Sequence, residues 1–222
     1  MPIPRFFDPL SIGTELVYTI VILVFCLLIY IKTREIYNLT KHKGIQFFRY
    51  AFMFFGLAYA SRLFLYLMIF GSDDMFRHFR GMRTMMPVSN LIVAFFSTMA
   101  ILYLAYSTIW KKVKIEHFLT FSNIIALFIA VTAFISRSPL TVSFIQLVLM
   151  VFAAAIILKN HKKDKKRFGT KALYLLIFAF WLLNLFVLQS RRIMPFEVKI
   201  VFQLVSIAVF VVIYYKVAKW VK

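Results

Sequence analysis

The chain has 222 residues, of which 63% are hydrophobic and 18% aromatic, and its formal net charge is +19. Soluble domains run at about 45–50% apolar residues, so this excess excludes a water-facing globular surface. The basic residues sit between apolar blocks, where they act as orientation signals, so no nucleic acid is expected as a partner.

The apolar blocks have the length a helix needs to span a bilayer, about 20 residues. They predict an all-α polytopic membrane protein, a seven-transmembrane-helix bundle in one domain over 1–222. The start, "MPIPRFFDPLSIG", lacks a strongly basic segment, and no A-x-A-like cleavage site follows the first block. The first block is therefore expected to stay as a helix, over 11–32. Cys26 lies inside it and is the single cysteine, so no intramolecular disulfide can form. The second block covers 45–71 and the third 87–110. The segment between them, "DDMFRHFR", reads as a solvated charged loop. The fourth and fifth cover 117–136 and 139–158, split by "SRSP", with Pro139 in the first turn of the next helix. The sixth runs over 170–190 and the seventh over 196–220.

Of the 27 Lys and Arg residues, seventeen fall in one alternate set of connections and eight in the other; Arg49 and Arg62 lie within spans. The richer side is expected to be cytoplasmic. That places the N-terminus outside, the C-terminus inside, and the chain in the cell membrane as a multi-pass protein. Trp110, Tyr214, Tyr215 and Trp220 then belong to an inner aromatic belt. "NLT" at 38–40 falls in a basic inner loop and reads as a chance glycosylation match. The run "KNHKKDKKRFGTK" over 159–171 can meet anionic lipid, each basic residue near the surface contributing about 1 kcal/mol.

Enzyme signatures are missing: there is no G-x-S-x-G, H-E-x-x-H or GxxxxGK[ST]. His42, His78, His117 and His161 lie in loops or at helix ends. No enzymatic activity, metal or cofactor is expected. Gly56 and Ala60, or Ala126, Ala130 and Ala133, recur at helical spacing and predict close helix contacts.

Polar residues inside the spans carry the functional expectation. At 1.5 Å per residue, Glu15 lies roughly 6 Å inside the outer end of its helix and Arg62 roughly 14 Å below the outer end of the second. Asn90, Gln146, Asn184 and Gln203 fall in the outer halves of four more helices. On the second helix Tyr59, Arg62 and Tyr66 share one face, and on the seventh Gln203 and Ser206 do likewise. These residues predict an outward-facing polar chamber for a small polar or anionic ligand, against the plainer reading of interhelical hydrogen bonds. A guanidinium stays charged at any ordinary pH, so Arg62 needs a partner. An Arg62–Glu15 ion pair at the chamber floor is expected, with Asn90 or Gln203 taking remaining donors; the competing reading leaves Arg62 as an anion anchor. Arg49, near the inner end, is expected to snorkel to headgroups.

The stretch "IYIKTREIYNLTKHKGIQFFRYAFMFFGLAYASRLFLY", residues 29–66, resembles the seven-helix sensor region that precedes some prokaryotic histidine kinases. The resemblance implies a sensor or receptor-like module. No kinase or other output domain follows in these 222 residues, so its signal is expected to pass to a separate cytoplasmic protein. The alternative is a small-solute transporter or channel of three-plus-one-plus-three helix type, or a structural membrane subunit.

Overall fold

The computed structural model describes residues 9–70, 75–136, 139–161, 168–193 and 195–219, with side chains described over 13–68, 87–136, 140–159, 172–185 and 195–219. Lipid offers no hydrogen bonds to a backbone, so a spanning segment must satisfy its own amides and carbonyls, and a helix does so within one segment. Among the described residues seven helices form: α1 Pro9–Thr40, α2 Lys43–Phe70, α3 Met75–Ile109, α4 Ile115–Ser136, α5 Pro139–His161, α6 Phe168–Ile193 and α7 Phe196–Ala218. Six contain a stretch long and apolar enough to cross a membrane; in α6 the described apolar stretch, Ala172–Leu185, is shorter.

Each helix sorts its residues onto two faces. On α1, Val17, Ile20, Val24, Leu27 and Ile31 are exposed, while Tyr18, Ile22, Cys26, Ile29 and Thr33 are buried. On α7, Val201, Leu204, Val205 and Val212 are exposed, while Lys199, Gln203, Ser206, Phe210 and Ile213 are buried. Aliphatic faces outside and polar groups inside invert the order of a soluble domain and fit a lipid environment. The protein is a helical, multi-pass membrane protein.

The helices close into a ring. α1 packs on α2 and α7, α2 on α3, α3 on α5, α5 on α6, and α6 on α7. α4 packs against α3 and α5 and so lies outside that ring. Its inner face is made of small residues, with Ala126, Ala130 and Ala133 buried, and Ala133 and Ile129 cluster with Ala94 of α3. Between α1 and α2, a Cβ added at Gly56 would meet the Cys26 Cβ at 3.5 Å. Gly56 and the three alanines of α4 thus sit in the packing between helices, as expected.

Several helices run past the blocks that hydropathy predicts, because a helix need not stop where hydrocarbon stops. α1 continues to Thr40 rather than ending near residue 32, and Ile36 of that extension is buried in the core. It ends where Lys41 takes a left-handed conformation (φ 51°) and its amide donates to the Tyr37 carbonyl at 2.7 Å, closing the helix as a C-terminal cap. The 38–40 "NLT" therefore lies on a helix rather than in a loop. α3 starts at Met75, well before 87, and passes Pro87 in its interior. A proline forfeits one backbone hydrogen bond without forcing the helix to end. Arg77, His78 and Arg80 are thus helical rather than in a loop; Asp73 and Asp74 lie outside the described residues, as do Trp220 and the centre of the 159–171 run.

The end of the bundle holding the α1–α2 turn is closed by aromatics. His42 meets Trp110 edge-on at 5.4 Å between centroids, Tyr106 stacks on Phe118 at 3.9 Å, and Ser107 and Tyr174 share a 2.8 Å hydrogen bond. Gly44 sits in this packing: a Cβ there would lie 2.9 Å from the Ser107 carbonyl oxygen. Arg49, expected to reach for headgroups, instead lies 5.3 Å from each of the rings of Tyr30, Tyr37 and Tyr50. Three tyrosine faces hold its cation in place of a carboxylate.

Candidate functional site

The buried polar side chains of α1, α2, α6 and α7 meet near the end of the bundle where α1 begins, and they do so in layers. The first layer is charged. Glu15 of α1, one turn and a half into its helix, takes the Lys199 ammonium on Oε1 and the Tyr66 hydroxyl on Oε2. The side chains of Lys199 and Glu15 are 4% and 11% exposed, so this is a buried ion pair. Its formation needs Lys199 only one turn into α7, whose start is set by Pro195 and Phe196.

The second layer is made of phenols, an amide and a hydroxyl. Asn184 Oδ1 accepts from Tyr18 at 2.7 Å and from Tyr59. Tyr18 also shares a 2.8 Å bond with Ser206, and Asn184 Nδ2 donates to the Phe180 carbonyl at 3.0 Å. The two tyrosine rings lie edge to face at 6.4 Å. One residue from each of four helices therefore closes a single network. Membrane-buried hydrogen bonds average only about 0.6 kcal/mol each, so the network joins its helices without locking them.

Beneath lies an aromatic floor. Phe55, Phe180 and Phe210 sit one turn below Tyr59, Asn184 and Ser206 on their own helices. Phe180 and Phe210 are 4.3 Å apart, Phe55 and Phe180 5.5 Å, and Trp181 meets Phe55 edge-on at 5.1 Å. A small apolar void remains among them, bordered also by Ala51, Phe52, Leu104 and Ile177.

The eight residues singled out in the sequence divide between this site and elsewhere. Glu15, Tyr59, Tyr66 and Asn184 are in the layers just described. Arg62 does not pair with Glu15; Lys199 takes that place. The half-buried Arg62 guanidinium instead lies 5.4 Å from the Tyr59 ring. It has no hydrogen-bond or ion-pair partner among the described residues. Gln203 is buried on α7 between Lys199 and Ser206, and its Nε2 has no hydrogen-bond partner among the described residues. Gln146 is apart from the site: it donates to Ser97 Oγ across the α3–α5 contact, and Ser97 in turn bonds the Val93 carbonyl at 2.6 Å. Asn90 is half-buried on α3 and joins none of these contacts.

Sequence reasoning missed Lys199 and Tyr18. Lys199 counted as a residue of the outer mouth, yet Lys199, Gln203 and Ser206 stand at i, i+4 and i+7, one helical face. Tyr18 stands three residues after Glu15 and shares its face by the same rule. Among the described residues no cluster of three or more His, Cys, Asp or Glu side chains could hold a metal ion.

An uncharacterized protein of Archaeoglobus fulgidus is 35% identical to this chain over 223 residues, covering 98% of the chain and 97% of that protein. The chain belongs to that protein's family. The match runs nearly end to end, so the family shares the span of all seven helices rather than one fragment. No family model and no solved structure matches the chain.

Proposed function

We propose that the protein is a small-solute carrier that spans the membrane seven times and binds its solute in the polar layers between α1, α2, α6 and α7. The N-terminus faces outward and the C-terminus the cytoplasm, on the excess of Lys and Arg in the connections on the C-terminal side. The observation that carries the reading is the arrangement of the ring. In chain order the ring divides into α1–α3 and α5–α7, with α4 outside it between them, and the α1–α7 and α3–α5 contacts are the two seams. The ion pair and the Tyr59–Asn184 bond both cross from the first half to the second. A polar site at the interface of two halves is where alternating access operates, by rocking one half against the other. The aromatic floor closes the site on its cytoplasmic side, and weak hydrogen bonds across the halves can break and re-form.

Uptake tests this reading. Radiolabelled glycolate, glycine and glycerol are followed into proteoliposomes holding the full chain. Entry of at least one above protein-free liposomes, reduced in Tyr59→Phe and Asn184→Leu, supports a carrier; equal entry of all three with and without protein sinks it.

The sensor reading is the competing proposal, and one observation favours it. α1 extends past its apolar stretch to Thr40, and Leu39 there is 78% exposed beside the exposed Arg34, Glu35 and Asn38. That surface would serve a separate cytoplasmic signalling protein. A sensor would bind its ligand without moving it, which uptake distinguishes.

A further inference from the structure

We infer that the solute of this site is a small monocarboxylate, held between Arg62 and Gln203; the inference rests on the proposed binding site and names the ligand class it takes. The argument starts from charge. Among the described residues the site holds two cations, Arg62 and Lys199, and one carboxylate, Glu15, already joined to Lys199. One positive charge is left over, and it belongs to Arg62. Among the described residues this half-buried guanidinium has only a ring face beside it; such a charge is costly in a bilayer, and an anion that reaches it removes that cost.

The second observation is Gln203. The residue is only 5% exposed, and its Nε2 is fully buried with no partner among the described residues. A buried, unpaired amide loses its water without compensation, so such a group calls for a bound water, ion or ligand to satisfy it. Its position is fixed by its neighbours: one turn above it Lys199 reaches Glu15, and one turn below Ser206 bonds Tyr18. Gln203 therefore faces α1 between Glu15 and Tyr18. Arg62 stands on α2 with its guanidinium 5.4 Å from the Tyr59 ring, which itself meets the Tyr18 ring edge to face. The two donors thus stand in opposite halves of the ring, Arg62 one turn from Tyr59 and Gln203 one turn from Ser206, both of which belong to the hydrogen-bonded layer.

A carboxylate suits this pair in charge and in offering two acceptor oxygens. One oxygen takes the guanidinium, in the charge-assisted geometry that arginine favours, and the other takes the Gln203 amide. A single negative charge balances the site, whereas a dianion would overshoot it and face Glu15. A neutral solute would leave Arg62 as it is. Occupancy also joins α2 of the first half to α7 of the second, so binding itself favours the closed site.

The test is ligand-induced stabilisation of the purified full chain in detergent, with acetate as the probe, acetamide as its neutral isostere and chloride for ionic strength. Acetate should raise the midpoint of thermal unfolding in a saturable way, and acetamide and chloride should not. Loss of a charge-assisted hydrogen bond weakens binding by roughly ten- to a hundredfold, so Arg62→Gln should shift the acetate dose response by that factor. Gln203→Leu should shift it by less, and both variants remain folded if their near-ultraviolet dichroism matches the parent. Equal stabilisation by acetamide keeps the site and overturns the carboxylate assignment. No shift with acetate, while a cysteine at Gln203 still reacts with external thiol reagent, likewise overturns the assignment and leaves the wet site standing.

Discussion

Removing Lys199 strands a carboxylate. In Lys199→Met the aliphatic stem keeps most of its volume, but Glu15, whose side chain is 11% exposed, loses its cation. Breaking a buried pair from one side costs about 3–5 kcal/mol, because the remaining charge stays in place without compensation. Tyr66 still donates to Oε2 and offsets part of this. At about 2–4 °C per kcal/mol for a chain of this size, the midpoint of thermal unfolding should fall by about 6–20 °C. Glu15→Gln strands the ammonium instead and should fall in the same range. The double variant Glu15→Gln/Lys199→Met carries neither charge and should recover most of the loss, since buried pairs are often replaceable by neutral residues. The assay is fluorescence-detected unfolding of detergent-solubilised protein, for the parent, both single variants and the double. Strictly additive losses would refute the pairing, as would recovery by Arg62→Met in place of Lys199→Met.

Tyr18→Phe removes bonds to both Asn184 and Ser206, whereas Tyr59→Phe removes one to Asn184; at about 0.6 kcal/mol per contact, Tyr18→Phe should lower thermal stability more, and the opposite order would count against the network. Gly44→Ala forces a Cβ to 2.9 Å from the Ser107 carbonyl oxygen and should destabilise by about 1–3 kcal/mol, read as a lower unfolding midpoint; an unchanged midpoint would mean α2 and α3 are not held this close. Arg49→Leu loses three ring contacts worth about 0.5–1 kcal/mol each at an exposed site, so it should destabilise while Arg49→Lys recovers part; equal loss in both would put the effect on shape rather than charge. Single cysteines at Ser72 and Asp164, in a Cys26→Ser background, test orientation: an impermeant label added outside intact cells should reach the first and miss the second, and the reverse pattern inverts the topology.

The helical membrane class was legible because it depends on totals: 63% hydrophobic residues in blocks of spanning length leave few alternatives. Helix ends were less legible. The block rule sees hydrocarbon, while α1 stops where Lys41 turns left-handed and α3 begins in a charged segment that is helical all the same. Within the site, ordering polar residues by depth picked out Glu15, Tyr59, Tyr66 and Asn184, which the fold brings together. Depth alone cannot say which helices are neighbours. Gln146 lies at a depth like that of Gln203, yet it faces α3 and bonds Ser97. The wrong partner for Glu15 has the same origin. Arg62 was the deeper and more conspicuous cation, but α1 packs on α7 as well as on α2, and Lys199 enters from that side at the depth of Glu15.

The measurement closest to the central claim is two-sided labelling of a single cysteine at Gln203 in proteoliposomes of known orientation. A small impermeant thiol reagent is applied from each side in turn, in the Cys26→Ser background. A carrier should expose the cysteine to the outer side readily and to the cytoplasmic side more slowly, as the aromatic floor opens. Tyr59→Phe, which loosens the bond between the halves, should change the balance of the two rates. Reaction from neither side would contradict the account, leaving the polar layers as dry packing between helices.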